Sequence, residues 1–570
     1  MRPYLIATVA LLSSCLGGGN VAPHGVPLNL DYAVPSLVDP NRPWGFWLAS
    51  LGPAGVAAEV TAGARLCLDR AGGDDTPTIA AEATYDLGDA FAGHTLRIAA
   101  DIERPPGSRA EVRVGLRALA PDWTTTERWG EELAVEPTVA NVQIVIRYEG
   151  SGPACVSALR LTVDGAPFRE ALLPSRETPD AAAVDWADRH AVPLATTDPT
   201  APLDDLAALA PVVADARIVM VGESTHGSSE LFALRHRIIR WLVEERGFAV
   251  VAFEDHAAPC RAIQDYVETG NGDPVTLVDN LFGVWARQET LAFVRWLRAT
   301  WVTGRARPTL VGIDLQDPRA PLRELAAFAT RHDAELLAAI EAGLAAMRAA
   351  WAAGAYPRRE AAEHERWCAA ARRVEALLEQ RTATLTVAAG AETVHRARYN
   401  ARLVRQSADV SRAGDMRTRD RFLADNLLWL RQQSPPGTGI AVWAHNTHIR
   451  FDEDAAGQFV RAAVGDDVVS LGAFTHSGQY AAWDSTARRM RDYALFPGPP
   501  DSIEGLLHTV GEPVLALDLR AADLPGWLRR PQLHCNLGLF AADFGYYAAP
   551  LAKSFSALLF VDRTTATRGL

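Results

Sequence analysis

Seven short, mostly apolar runs separated by longer amphipathic segments set the strongest limit on what this chain can fold into. They are Arg217 to Val221, Ala249 to Phe253, Thr309 to Ile313, Ile440 to Trp443, Val468 to Leu471, Val514 to Leu517 and Ala557 to Val561. A strand that is apolar at nearly every position has to be covered on both faces, and helices between successive strands supply that cover. The pattern predicts an α/β domain with a mainly parallel sheet. From 318 to 433 the Ala-, Leu-, Arg- and Glu-rich sequence follows helical spacing, so a helical cap or bundle is expected as an insertion.

The first third of the chain has a different grammar. Segments such as Leu96-Arg97-Ile98 and Val142-Gln143-Ile144 alternate apolar and polar residues between Gly-, Pro- and Asp-rich turns. Period-two alternation indicates half-buried strands, so residues 28–172 are expected to form an antiparallel, jelly-roll-like β-sandwich. Residues 173–205, rich in Pro, Asp and Thr, read as a linker, and 206–567 as a catalytic α/β domain. With 570 residues, a multi-domain chain is expected on length alone.

Residues 1–15 carry an apolar run from Leu5 to Leu12 and then Leu12-Ser13-Ser14-Cys15. The run is too short to cross a bilayer and reads as a secretory signal ending in a lipobox. Cys15 is then the lipidation site, 16–27 a flexible tether, and the expected location the bacterial cell envelope, at the outer membrane or in the periplasm. The lipid anchor would be the sole membrane contact. A net charge of −13 argues against nucleic acid as a partner. Only Lys553 among the 56 basic residues is a lysine, which argues against Schiff-base chemistry. Cys67 and Cys155 share the first domain and can pair in an exported protein; Cys260, Cys368 and Cys535 show no metal-site spacing and read as buried thiols.

The chemistry lies after the strands. Val221 is followed by Gly222-Glu223-Ser224-Thr225-His226-Gly227, Phe253 by Glu254-Asp255-His256, Ile313 by Asp314-Leu315-Gln316, and Trp443 by Ala444-His445-Asn446-Thr447-His448. His476 lies a few residues past Leu471. Open α/β sheets bind ligands outside the carboxyl ends of their strands, so these groups are expected on one edge. His226 falls just before a helix whose Ser228 can cap it, and a helix N-terminus disfavours imidazolium, leaving a neutral ring fit to act as general base. Glu223, Glu254, His445 and His448 complete the expected catalytic group. Asp314, Gln316, Trp285, Asn446 and His476 are read as substrate-binding. No Gly-x-Ser-x-Gly elbow lies between a strand and a helix, so attack by water is favoured over a serine nucleophile. Zinc held by the His445-x-x-His448 pair with the nearby carboxylates is the alternative to a cofactor-free site.

These residues resemble the erythromycin esterase family. The resemblance rests on the Gly222 to Gly227 block with Glu230, Phe253-Glu254, Trp285 with Glu289, Gly312 to Gln316, Arg419-Asp420 with Asn426 and Trp429, and Trp443 to His448, over roughly 206–567. It implies a metal-independent hydrolase that cleaves an ester or macrolactone by water attack, with His226 as general base and Glu223, Glu254, His445 and His448 around it. The chain departs from the family pattern at Ser556, where an Asp is expected, and in its added lipobox and sandwich. The competing reading is a surface lipoprotein that binds heme or iron through the same His/Glu edge, since the wider fold group includes such binders.

Overall fold

The structure, a computed structural model, describes residues 179–570 except 354–360, 485–488, 496 and 541–545. Before 179 it describes 93–119, 125–139, 141–168 and shorter stretches between 30 and 91. The lipidation reading at Cys15 and the tether after it lie outside the described residues.

The alternating segments form two antiparallel sheets. One runs in the order Trp47–Leu48, Thr78–Tyr85, Asn141–Glu149, Glu111–Leu119, Thr125–Trp129. The other runs Val56–Thr61, Arg65–Arg70, Ala154–Val163, Thr95–Glu103, Leu133–Ala134. Inward residues of both, among them Leu116, Ile144 and Ile146 from the first and Leu96, Ile98 and Leu161 from the second, share one core, which is what alternation on two facing sheets produces. Cys67 and Cys155 sit opposite one another on paired strands and form a disulfide.

The second domain is built on a nine-stranded sheet. Its strands are β1 (Ala191–Pro193), β2 (Ile218–Val221), β3 (Phe248–His256), β4 (Thr309–Asp314), β5 (Gly439–Trp443), β6 (Val468–Asp484), β7 (Arg489–Leu495), β8 (Val514–Asp518) and β9 (Ala557–Thr564). The order is β1-β8-β9-β6-β2-β5-β3-β4, with β7 paired to β6. The run from β9 to β4 is parallel, whereas β1, β8 and β7 pair antiparallel. All seven apolar runs are strands of this sheet, and large clusters of buried side chains cover it.

Two elements differ from the sequence expectation. The stretch read as a linker holds a helix, Ala181–His190, and the edge strand β1, and Trp186 of that helix is buried against the sheet. Proline and aspartate around these short elements disguise them. Strand β6 continues well past Leu471, because Gly472 and Gly478 are not breaks. A Cβ at Gly472 would press on the Phe555 ring at 2.8 Å, and Gly478, at φ +126°, passes against the Thr564 carbonyl.

The cap helices Arg319–His332, Ala334–Ala352, Ala361–Ala389 and Ala391–Ala413 pack on a core of their own, including Leu336, Leu344, Trp351, Trp367 and Leu378. The next helix, Met416–Gln433, returns to the sheet and buries Leu423 and Leu427 in its core. We label three helices used below: α1 (Ser229–Glu244), α2 (Met416–Gln433) and α3 (Ile503–Val510).

Candidate active site

The strand ends are in register. Val221 of β2 is level with Trp443 of β5 and Leu471 of β6, and Phe253 of β3 is level with Trp443 and with Gly312 of β4. The loops after these strands therefore open on one edge, as the strand-end rule requires. Two glycines let the first loop through. A Cβ at Gly222 would lie 2.0 Å from Asn446 Oδ1, and one at Gly227 would lie 1.8 Å from the Ala481 carbonyl oxygen.

On that loop His226 Nδ1 lies 2.8 Å from Glu223 Oε1. With the carboxylate as acceptor, Nδ1 carries the proton and the Nε2 lone pair is left to accept another. Burial lowers the pKa of His226 to about 4, so the ring is neutral at ordinary pH. The largest cause is desolvation; Glu254 opposes it, and Arg235, His448 and Arg419 add to it. Ser228 does occupy the cap position of α1, but its side chain makes no capping hydrogen bond.

The other oxygen of Glu223 pairs with Arg235. This arginine interrupts the apolar stripe of α1, one turn after Leu231, and is fully buried. Its guanidinium stands 4.7 Å from the Trp443 ring centroid and 5.5 Å from that of Phe232. Aromatic faces thus replace part of the lost hydration. Burial brings Arg235 down to about 10 and lifts Glu223 to about 7, even with the cation beside it.

A second ionic group adjoins the first. Glu254 accepts hydrogen bonds from the His445 backbone at 2.7 Å and from Arg419 at 3.1 Å, and its Oε1 lies 3.1 Å from His448 Nε2. Asp420 holds the other face of His448, with Nδ1 2.7 Å from its carboxylate. Arg419 also donates to Asp314 at 2.8 Å and approaches His448 Nε2 to 2.9 Å, so it competes with the imidazole for Glu254. Burial works against both charges here. Asp420 and Glu254 nonetheless raise His448 to about 10, and His448 and Arg419 hold Glu254 well below the usual carboxylate range.

His445 links the two groups. Its ring lies 4.5 Å from that of His226. Its Nε2 donates to the Leu537 carbonyl at 3.1 Å, and its Nδ1 accepts from Thr447 Oγ1 at 2.9 Å. Burial lowers it to about 3, so it stays neutral in this tautomer. Leu537 belongs to a strap after Gln532–Cys535; its N–H donates to the Ser224 carbonyl at 2.6 Å.

The structure thus joins all five expected catalytic residues in one connected network. The residues read as substrate-binding are placed differently. Trp285 is buried edge-on to His226 at 5.0 Å and donates its indole N–H to the Glu254 carbonyl. Asn446 clamps Ala473 through both ends of its amide. Asp314 and Gln316 are buried and bonded to each other, Asp314 also to Arg419. His476 is stacked on His508. Sequence reasoning passed over the catalytic potential of Arg235, Arg419, Asp420 and the Leu537 strap. A charge inside an apolar stripe was the available signal for Arg235. Ser556, at the departure from the family pattern, is buried, and its hydroxyl accepts from the Ser470 N–H.

A mostly parallel α/β sheet carrying a neutral histidine, its carboxylate partner and a buried ionic group at its carboxyl edge defines a class of candidate acid–base site. The chain belongs to the erythromycin esterase family: the family model described as erythromycin esterase matches residues 243–564, more than half of the chain. Glu223 and His226 precede that span, whereas Glu254, Arg419, His445 and His448 lie within it. The chain is 27% identical over 332 residues to erythromycin esterase type II of Escherichia coli, covering 52% of this chain and 78% of that protein. In fold it is similar to a Bacillus cereus protein, with TM-score 0.63 and 24% identity over 68% of this chain and 98% of that one. It is also similar to the erythromycin esterase EreC, solved as a histidine-to-asparagine mutant in its open conformation. There the TM-score is 0.51 and the identity 18%, over 66% of this chain and 97% of that one.

Proposed function

We propose that the chain is a carboxylic ester hydrolase in which His226 activates water. The observation that carries this reading is the His226–Glu223 pair. Its geometry leaves Nε2 as a proton acceptor, and the His226 side chain keeps 13% of its surface exposed while that of Glu223 keeps none. A water bonded to Nε2 attacks the ester carbonyl carbon and gives its proton to the imidazole. Glu223 is then beside the imidazolium and stabilises it. His448 and Arg419, whose charges both reach the His226 ring, are the cations assigned to the oxyanion, with Glu254, Asp314 and Asp420 sharing their hydrogen bonds. Collapse of the tetrahedral intermediate breaks the acyl C–O bond, and imidazolium returns its proton to the leaving alkoxide. His445, occupied on both nitrogens, positions the His226 ring and holds the strap.

Family membership and the name of the E. coli relative support a macrolactone as the substrate class. The test is incubation with a panel of macrolides and simple acyl and aryl esters, read by mass spectrometry. A product heavier by one water from a macrolide, or an acid and alcohol from a simple ester, formed about 10²–10⁴-fold more slowly with His226→Ala, is the expected result. We further propose export and lipid anchoring at Cys15, which a Cys15→Ser variant tests by shifting the protein out of the membrane fraction.

A further inference from the structure

Outside the catalytic edge, His476 of β6, His508 of α3 and Asp562 of β9 bring three ligand atoms within 4.8 Å of one another. Asp562 Oδ1 lies 2.6 Å from His508 Nδ1 and 3.9 Å from His476 Nδ1. The two imidazoles are stacked, with centroids 4.0 Å apart and planes 5° from parallel. His476 is 8% exposed, and its Nδ1, aimed at Asp562, has no hydrogen-bond partner. A buried ring nitrogen without a partner is costly, and a bound ion is one way such a nitrogen is satisfied.

We propose that His476, His508 and Asp562 form a site for a divalent transition-metal ion, zinc by preference. Two imidazoles and a carboxylate are borderline donors that suit zinc, and three protein ligands leave a fourth position for water. Zinc–ligand bonds of about 2.0–2.2 Å put tetrahedral ligand atoms about 3.3 Å apart, so the 2.6 Å His508–Asp562 contact has to open and the 3.9 Å His476–Asp562 distance has to close by a similar amount. Stacked rings hold their lone pairs in parallel planes that do not meet at one ion, so one ring must turn. His508, with 50% of its side chain exposed, is free to do so. The ion replaces the proton shared by His508 and Asp562, and the orphaned Nδ1 of His476 gains its partner.

The site joins α3 to two central strands. Glu504, in the first turn of α3, accepts the Cys535 N–H at 2.7 Å, and the Leu537 carbonyl two residues on accepts from His445. An ion fixing α3 therefore fixes the base of the strap over the active site.

The test uses the full chain without a polyhistidine tag, stripped with a chelator and titrated with zinc chloride. Binding is followed by calorimetry and by metal content after gel filtration. The expected result is one zinc per chain and a melting temperature raised by zinc. Loss of even an outer partner of a metal ligand costs about 10–100-fold in affinity, so His508→Ala and Asp562→Asn should each bind at least about tenfold more weakly. His508→Ala removes an exposed side chain and should fold. His445→Ala should bind zinc as the parent does. Absence of zinc binding in the parent, unchanged binding in both His508→Ala and Asp562→Asn, or loss of binding in His445→Ala alone would each overturn the proposal.

Discussion

Glu223 holds His226 Nδ1 at 2.8 Å while its other oxygen is paired with the buried Arg235. One carboxylate thus sets the tautomer of the base and is itself held by a cation boxed in aromatic rings. The pKa of Glu223 is raised to about 7, so it gains a proton, and loses its charge, as pH falls through that value. His226 takes up a proton only near about 4. Turnover should therefore decline as pH falls through about 7. In Glu223→Gln, turnover should drop by about 10²-fold and the acid limb should move toward the His226 value. A pH–rate profile of both proteins checks this; an unmoved limb would remove Glu223 from the step.

Arg235 and Glu223 are a buried pair whose partners depend on each other. Arg235→Met leaves a carboxylate without a counter-ion in an apolar surround and should cost about 3–5 kcal/mol. The double variant Arg235→Met with Glu223→Gln removes both charges and should recover part of that loss. Denaturant unfolding of the four proteins measures the coupling. Simple additivity would mean that the pair is not coupled.

Glu504 carries a stability prediction independent of catalysis. Burial raises its pKa from 4.5 to about 7. A carboxyl raised in the folded state contributes stability that is intact below its unfolded value and is lost as pH rises through the folded one. Glu504→Gln keeps an oxygen to accept the Cys535 N–H without the charge. It should stabilise the protein by up to ~3 kcal/mol near pH 8 and have little effect near pH 4. Melting curves at the two pH values show whether the gain is confined to the alkaline side.

The sheet was legible because its strands are apolar on both faces, and that single property placed all seven runs from Arg217 to Val561. The catalytic edge was legible for a related reason: strand ends in register bring Glu223 and His226, Glu254 in the last residues of β3, and His445 and His448 after β5 to one edge. What escaped has a physical explanation in each case. Arg235 hides in a helix stripe whose other members are apolar, and only its aromatic box makes its burial tolerable. The Leu537 strap acts through its backbone carbonyl and N–H, which no side-chain pattern reveals. Trp285 and Asn446 look like binding residues in the sequence, but their hydrogen bonds turn inward to the Glu254 carbonyl and to Ala473. The pairing of His476 with His508 and Asp562 joins one helix to two strands far apart in the chain, a convergence that spacing cannot show.

The most direct measurement for the central claim is hydrolysis of an ester or macrolide in water enriched in ¹⁸O, run with the parent protein and with His226→Ala. One ¹⁸O is expected in the acid product of the parent. In the variant, turnover should be reduced by about 10²–10⁴-fold, with an unchanged melting temperature. Turnover retained by a folded His226→Ala protein would contradict the claim.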